Sequence, residues 1–252
     1  MKKEKLQRLI QQWKKDEKAP FEGWDFSYIG KRVKRENPPW SYINIAKNLV
    51  RKSSSLLDID TGGGEILSKL RPLPKKALAI ESYKPNVYVA GKNLKKLGVK
   101  VIETDAAKKF PFKDNEFDLI LNRHGTINAK EMYRTLNKGG IFFTQQVSPD
   151  KDVAEMHRFF HSKPKWTFNN LKYRKKELEK IGFKILKSRE WNGKITFYDV
   201  GAIVYLLKAT PWLIPNFSVD SHLKYLIKLQ EKLEKDKKIQ FTVSRFLILA
   251  KK

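Results

Sequence analysis

Apolar residues recur along this chain with two different periods. Leu6, Leu9, Ile10 and Trp13 fall at helical spacing inside a basic N-terminal stretch, which predicts a short amphipathic helix. From Leu56 the pattern becomes that of buried strands: Leu56-Leu57-Asp58-Ile59-Asp60 is an apolar run ending in carboxylates, and Ala77-Leu78-Ala79-Ile80-Glu81 is a second run ending in an acid. Residues 163–180 predict a helix, Gly182 to Glu190 a strand after it, Ser221 to Lys237 a helix with Tyr225, Leu226, Leu229 and Leu233 on one face, and Phe241 to Ala250 a final strand. Strands alternating with helices predict an α/β fold in which right-handed crossovers lay a parallel sheet with helices on both faces. Ligands in such sheets bind beyond the C-terminal ends of the strands.

The first core strand runs directly into Asp60-Thr61-Gly62-Gly63-Gly64-Glu65. Glycine permits positive φ and bares the main chain to a ligand, so strand, glycine turn and helix start predict a nucleotide cradle. Residues at fixed offsets separate the candidates. A phosphate-binding Walker loop ends in Gly-Lys-Ser/Thr, whereas Gly64 is followed by Glu65 and Ile66. The dinucleotide pattern G-x-G-x-x-G fails too: from Gly62 its third glycine falls on Leu67, and Glu65 sets a negative charge where a pyrophosphate would meet a helix N-terminus. S-adenosylmethionine has no phosphate and carries a sulfonium and an ammonium, so a loop ringed by acids suits it best. Glu81, about 20 residues beyond the turn, stands where a ribose-binding carboxylate is required.

From about Ser55 to Val147 the chain resembles the class I S-adenosylmethionine-dependent methyltransferases, with several motifs in family order. The family's acidic-x-Gly-x-Gly-x-Gly is matched by Asp58, Gly62 and Gly64, with Asp60 in the place of the first glycine. Val99 to Ala106 resembles the third strand and its adenine-binding acid, which implies that role for Asp105 beside Ala106. Phe110 to Asn122 is similar to the segment PF-x-D-x-x-F-D and the fourth strand, which places Asn122 at that strand's C-terminal end, and Arg134 to Phe143 to the helix, glycine turn and fifth strand. The resemblance implies a Rossmann-like seven-stranded, mostly parallel sheet whose last strand inserts antiparallel. It further implies a helical and aromatic cap over residues 1–52 and a methyltransferase domain over 53–252, with a helical insert of about 195–238 over the site. Segments 23–27, 122–124, 144–147 and 197–202 are similar to those of a bacterial methyltransferase group, a likeness that brings no acceptor with it.

Composition narrows the classes. Of 252 residues, 40% are hydrophobic, enough for a core, and no apolar run reaches the length of a membrane span. With a polar N-terminus, this predicts a cytoplasmic chain without a membrane partner. With no cysteine, disulfides, iron–sulfur clusters and a cysteine nucleophile cannot exist, which removes the thiolate route to cytosine-C5 methylation. His157, His161 and His222 lack metal-ligand spacing, so no metal is expected. The formal net charge of +26 invites an RNA partner, but lysine outnumbers arginine 42 to 11 and is spread throughout, as a lysine-biased proteome would also give.

Methyl transfer is an in-line displacement, so the protein aligns the acceptor and, where needed, takes its proton. His124, after the fourth strand, is the candidate base, although a lone histidine there is also a common structural residue. Arg123 is a candidate holder of an acidic acceptor. Gln145, Gln146, Tyr198 and Asp199 are candidates for orienting it, and Trp24 and Trp40 for shaping its pocket, the cap aromatics reading equally well as glue for a helical cap. No Asn/Asp-Pro-Pro-Tyr/Phe segment follows the fourth strand, which disfavours exocyclic adenine methylation by that route. Transfer to a small molecule, transfer to ribosomal or transfer RNA, and a binding protein that lost catalysis at Asp60 are the three readings, in that order.

Overall fold

Strand β2 (Ser55–Ile59) lies between strands on both sides and between helices on both faces, and all five of its residues are buried. That environment is why its sequence is a continuous apolar run and not an alternation. A computed structural model describes residues 2–22 and 24–252 of the chain, so that Gly23 of the 23–27 segment lies outside the described residues. The other strands are β1 (Val33–Arg35), β3 (Lys76–Glu81), β4 (Lys100–Glu103), β5 (Phe117–Arg123), β6 (Leu136–Val147), β7 (Lys184–Phe197) and β8 (Ile239–Lys251). They form one sheet in the order β1-β7-β8-β6-β5-β2-β3-β4. Strands β4, β3, β2, β5 and β6 run parallel, and β8 pairs antiparallel with β6.

The chain divides into two compact units, and β7 and β8 pass through both. The larger unit comprises residues 38–148, 168–191 and 245–252. Alternate residues of its strands feed two cores. Leu57, Ile120, Phe142 and Ile248 join Met132 of α4 (Ala129–Thr135) and Leu178 of α6 (Leu171–Ile181). Leu56, Leu119, Phe143 and Leu247 join Ala46 of α2 (Tyr42–Val50) and Leu94 of α3 (Lys84–Lys95). The strand period of two thus decides which residue packs on which face.

The smaller unit comprises residues 1–37, 149–167 and 192–244, with α1 (Lys3–Lys18), α5 (Ala154–Phe159), α7 (Val200–Ala209) and α8 (Leu223–Asp236). Helix α7 is apolar all round and buried from Val200 to Leu207. It begins at Asp199, whose carboxylate caps Ala202 N–H at 2.8 Å and meets Arg32 at 3.2 Å. Arg32 also pairs at 3.0 Å with the fully buried Asp16, which accepts the Tyr28 hydroxyl as well, so a charge inside the unit is compensated on several sides. A Cβ on Gly201 would fall 2.0 Å from Asp16 Oδ2, which leaves room for glycine alone.

Three expectations change. The sheet has eight strands and not seven, because Val33–Arg35 adds antiparallel to the end of β7, and three residues carry too little periodicity to be legible. The helix expected over 163–180 begins only at Leu171. Pro164 lies in the stretch before it, and Asn170 turns its side chain to accept Tyr173 N–H at 3.0 Å as an N-cap. The glycine turn does not open into a full helix: Leu67–Leu70 is one turn of 3-10 helix, stopped by Arg71-Pro72.

The start of β2 is pinned by Asp118 on β5. Its carboxylate accepts Ser54 N–H (3.0 Å), Ser55 N–H (3.1 Å), the Ser55 hydroxyl (3.0 Å) and Asn137 Nδ2 (2.8 Å). Burial opposes ionisation of this carboxyl, but the hydrogen bonds from Asn137, Ser55 and the Ser54 main chain outweigh it and hold Asp118 below the usual carboxylate range. A depressed native value adds stability that is present above the unfolded value and lost as pH falls through the native one. Asp118→Ala is expected to cost about 2 kcal/mol near neutrality and less below pH ~4, read from urea unfolding. An equal loss at both pH values would contradict the charge-assisted pinning.

Candidate functional site

At the C-terminal edge of the parallel strands, β2 ends and the chain reverses through three left-handed positions, Asp60 (φ 54°), Gly62 (φ 62°) and Gly64 (φ 82°). A Cβ on Gly64 would strike Leu94, so glycine is required there by conformation and by packing. Asn93 of α3, which the sequence did not single out, holds the loop from outside by donating to Gly63 O at 2.8 Å. Glu81, at the end of β3, accepts Gly62 N–H at 2.8 Å with one oxygen, and Ser82 N–H (3.0 Å) and Tyr83 N–H (2.9 Å) with the other. The Thr61 hydroxyl is buried and has no hydrogen-bond partner among the described residues. It sits beside the Asp58 carboxyl, close enough to favour that group's ionisation but outside hydrogen-bonding geometry.

Carboxylates crowd this edge. Burial pushes the Asp58 carboxyl up to about 7, opposed by the Thr61 hydroxyl and by Arg123, with further upward pressure from Asp60 and Glu81. Asp60 is also raised, by burial first, against the Thr126 N–H bond that favours its ionised form, and further by Glu81 and Asp105. Asp105 lies half exposed after β4, accepting Ala107 N–H at 2.9 Å, while the methyl of Ala106 packs into a core face. Among the described residues no three metal-ligating side chains converge. An edge of mutually repelling acids around bare main chain, with a buried hydroxyl left over, fits an organic cation better than a polyphosphate.

Across the edge, β5 ends at Asn122 and Arg123. The Asn122 amide is fully buried and has every hydrogen-bonding position filled: Nδ2 donates to Ile59 O (3.2 Å) and Thr126 O (3.3 Å), and Oδ1 accepts from Thr144 Oγ1 (3.2 Å) and Gln146 Nε2 (2.5 Å). Arg123 lies over the Tyr42 ring, 5.9 Å from its centre, and burial followed by the neighbouring Arg245 lowers its basicity against Tyr42 and Asp58. His124 follows in the left-handed region (φ 61°), with its N–H on Gln145 O at 2.8 Å.

The ring of His124 has one readable constraint. Trp40 donates its indole N–H to Gln145 Oε1 at 2.9 Å, and Gln145 Nε2 lies 3.2 Å from His124 Nε2. An indole nitrogen only donates, so the Gln145 oxygen must face Trp40 and its NH2 must face the imidazole. His124 Nε2 is therefore the acceptor, and the neutral ring carries its proton on Nδ1. The structure thus joins Trp40, Gln145 and His124. Trp24 and Tyr198, both about half exposed, belong to the smaller unit, where Trp24 contacts Phe26 and Trp212. Gln146 and Tyr42, both candidates from the sequence, lie at this edge, while Thr61, Thr126 and Thr144 take part without having been foreseen, since polar residues at strand ends have no distinctive spacing. Two surface depressions of about 410 and 400 Å³, by Arg71–Leu73 with Leu97 and by Asn44–Arg51, lie away from it.

Residues 57–144 match a family described as a methyltransferase domain. Among solved structures, the YcgJ protein of Bacillus subtilis is similar, at 16% identity over 83% of this chain and 97% of that one, with a TM-score of 0.59. A protein of unknown function from Deinococcus radiodurans shares the fold over 98% of this chain and 99% of its own, at 13% identity and a TM-score of 0.58. An S-adenosylmethionine-dependent methyltransferase from Thiobacillus denitrificans, solved with S-adenosyl-L-homocysteine, is similar over 86% of this chain and 93% of that one, at 16% identity and a TM-score of 0.50. No curated protein sequence matches the chain.

Two measurements test this geometry. The unfolded chain ionises Asp58 near 3.8 and the native chain near 7, so stability should fall as pH rises across that window, by up to roughly 4 kcal/mol from this group. Asp58→Asn should flatten the decline in urea melts between pH 4 and 8, and an unchanged slope would show that the carboxyl is not desolvated. Nitrogen NMR of the His124 ring should find the proton on Nδ1, with this preference weakened in Trp40→Phe, where the Gln145 amide is free to turn over.

Proposed function

The chain carries a class I S-adenosylmethionine-dependent methyltransferase domain at residues 57–144, and on that premise we propose that it methylates a small-molecule acceptor at the C-terminal edge of β2 and β5. Its cofactor, S-adenosylmethionine, supplies an electrophilic methyl group on a positively charged sulfur. We assign the donor site to Asp58, Asp60, Gly62, Gly64, Glu81, Asp105 and the main chain at Ala106. The carboxylates complement a cation, and Glu81 and Asp105 stand at the two strand ends beside the loop. The buried Thr61 hydroxyl is a further polar atom available to the ligand. Asn122, with its amide satisfied inside the protein, serves by fixing the turn after β5.

The observation that carries the small-molecule reading is the sign of charge at this edge. A polyanion would have to approach past Asp60, Glu81 and Asp105, whereas the lysines that give the chain its charge are spread along the sequence from one end to the other. We assign His124 as the residue that meets the acceptor. Proton removal at Nε2 would first require Gln145 to release it, so the arrangement suits an acceptor whose nucleophilic atom already has a free lone pair. Trp40 and Gln145 set the tautomer, and Arg123 is a candidate wall. The alternative, an RNA methyltransferase, rests on the net charge of +26.

Purified protein with radiolabelled S-adenosylmethionine should label a compound in a metabolite extract and leave total RNA unlabelled, and Glu81→Ala should weaken S-adenosylhomocysteine binding at least about tenfold by loss of a charged hydrogen-bonding partner. Labelled RNA with an unlabelled extract would replace this reading by the RNA one, with a binding constant falling steeply with salt.

A further inference from the structure

The family pattern has glycine where this chain has Asp60, and the structure gives the side chain a definite place. Asp60 adopts φ 54°, a conformation that glycine enters freely and that aspartate tolerates better than most residues. Its carboxylate crosses from the donor loop to the turn after β5 and accepts Thr126 N–H at 2.6 Å. A Cβ on Gly125 would lie 2.7 Å from Asp60 Oδ2 and from Asn122 Nδ2, so the turn is closed tightly around these two side chains. Thr126 is held at both main-chain groups, its N–H by Asp60 and its C=O by Asn122, and Asn122 itself ties back to Ile59 O, the residue before Asp60. His124 sits within this turn, its own N–H fixed on β6.

We propose that Asp60 is a positioning residue: its carboxylate latches the 123–126 turn to the donor loop, and so transmits occupancy of the donor site to His124. The proposal rests on the donor site assigned above. Asp60 lies among Asp58, Glu81 and Asp105, whose charges oppose its ionisation, and burial opposes it further. A cationic ligand among these groups favours the ionised form, and an ionised acceptor makes a hydrogen bond roughly twice as strong as a neutral one. Binding of the donor thereby tightens the Thr126 bond and the turn that presents His124. The substitution at the first glycine then adds a device to the site and does not signify lost catalysis.

The test follows amide exchange at Thr126 in the full chain, with and without S-adenosylhomocysteine, in wild type, Asp60→Gly and Asp60→Asn. S-adenosylhomocysteine lacks the sulfonium but keeps the ammonium, so it still brings a cation to the edge. Wild type should show slower Thr126 exchange on adding the ligand, by about tenfold. Asp60→Gly should exchange fast with no response to ligand, even at S-adenosylhomocysteine concentrations that calorimetry shows to saturate that variant. Asp60→Asn keeps an acceptor for Thr126 N–H and tolerates positive φ, so it should regain ligand-free protection without the full ligand response, an outcome that a purely structural role for Asp60 does not give. Ligand binding that leaves Thr126 exchange unchanged in wild type, or an Asp60→Gly variant as responsive as wild type, overturns the latch. A wild type that binds no S-adenosylhomocysteine overturns the donor reading instead, and the transmission with it, while ligand-free exchange in Asp60→Gly still decides whether the tie itself exists.

Discussion

A carboxyl group that the fold buries, Asp58, is the constraint around which the donor edge is arranged. It lies in a strand with no solvent on either face, and burial, the largest of several influences, moves its ionisation to near neutrality. The neighbouring groups follow from that location. Asp60 and Glu81 are drawn onto main-chain N–H groups, the one on Thr126 and the other on Gly62, Ser82 and Tyr83, because a buried carboxylate without donors is costly. The loop between them keeps the shape that three left-handed residues give it, and the concentration of negative charge leaves a place suited to a cation.

Opposite the acids, the turn after β5 is organised by side-chain amides together with the Asp60 carboxylate that reaches Thr126 N–H. Asn122 uses all of its hydrogen-bonding capacity to join β2, β6 and the turn, and Gln145 passes a fixed orientation from Trp40 to His124. Fully satisfied buried amides of this kind specify one arrangement, since any rotation strands a donor or an acceptor. The edge therefore has an electrostatic half suited to a cation and a hydrogen-bonded half that holds a single arrangement.

Much of this was legible in the sequence. The runs at Leu56 and Ala77 announced strands because burial on both faces demands continuous apolar residues, and the acids at their ends were visible as the residues that close each run. The short β1, the late start of α6 and the single 3-10 turn after the glycines were not legible. Each depends on a local hydrogen bond or a neighbouring strand that leaves no periodic trace.

The linear order of residues determined the α/β class, the glycine loop with its acids and the exclusion of cysteine chemistry, because periodicity, glycine and residue identity act locally. Tertiary structure alone decided which nitrogen of His124 carries the proton, why Asn122 is occupied within the protein, and where the Asp60 side chain goes. Those answers depend on Trp40, Thr144 and Thr126, residues that are distant in the chain or unremarkable within it and that the sheet brings within hydrogen-bonding reach. Hydrogen bonds act over about 3 Å, and only the folded backbone sets distances on that scale.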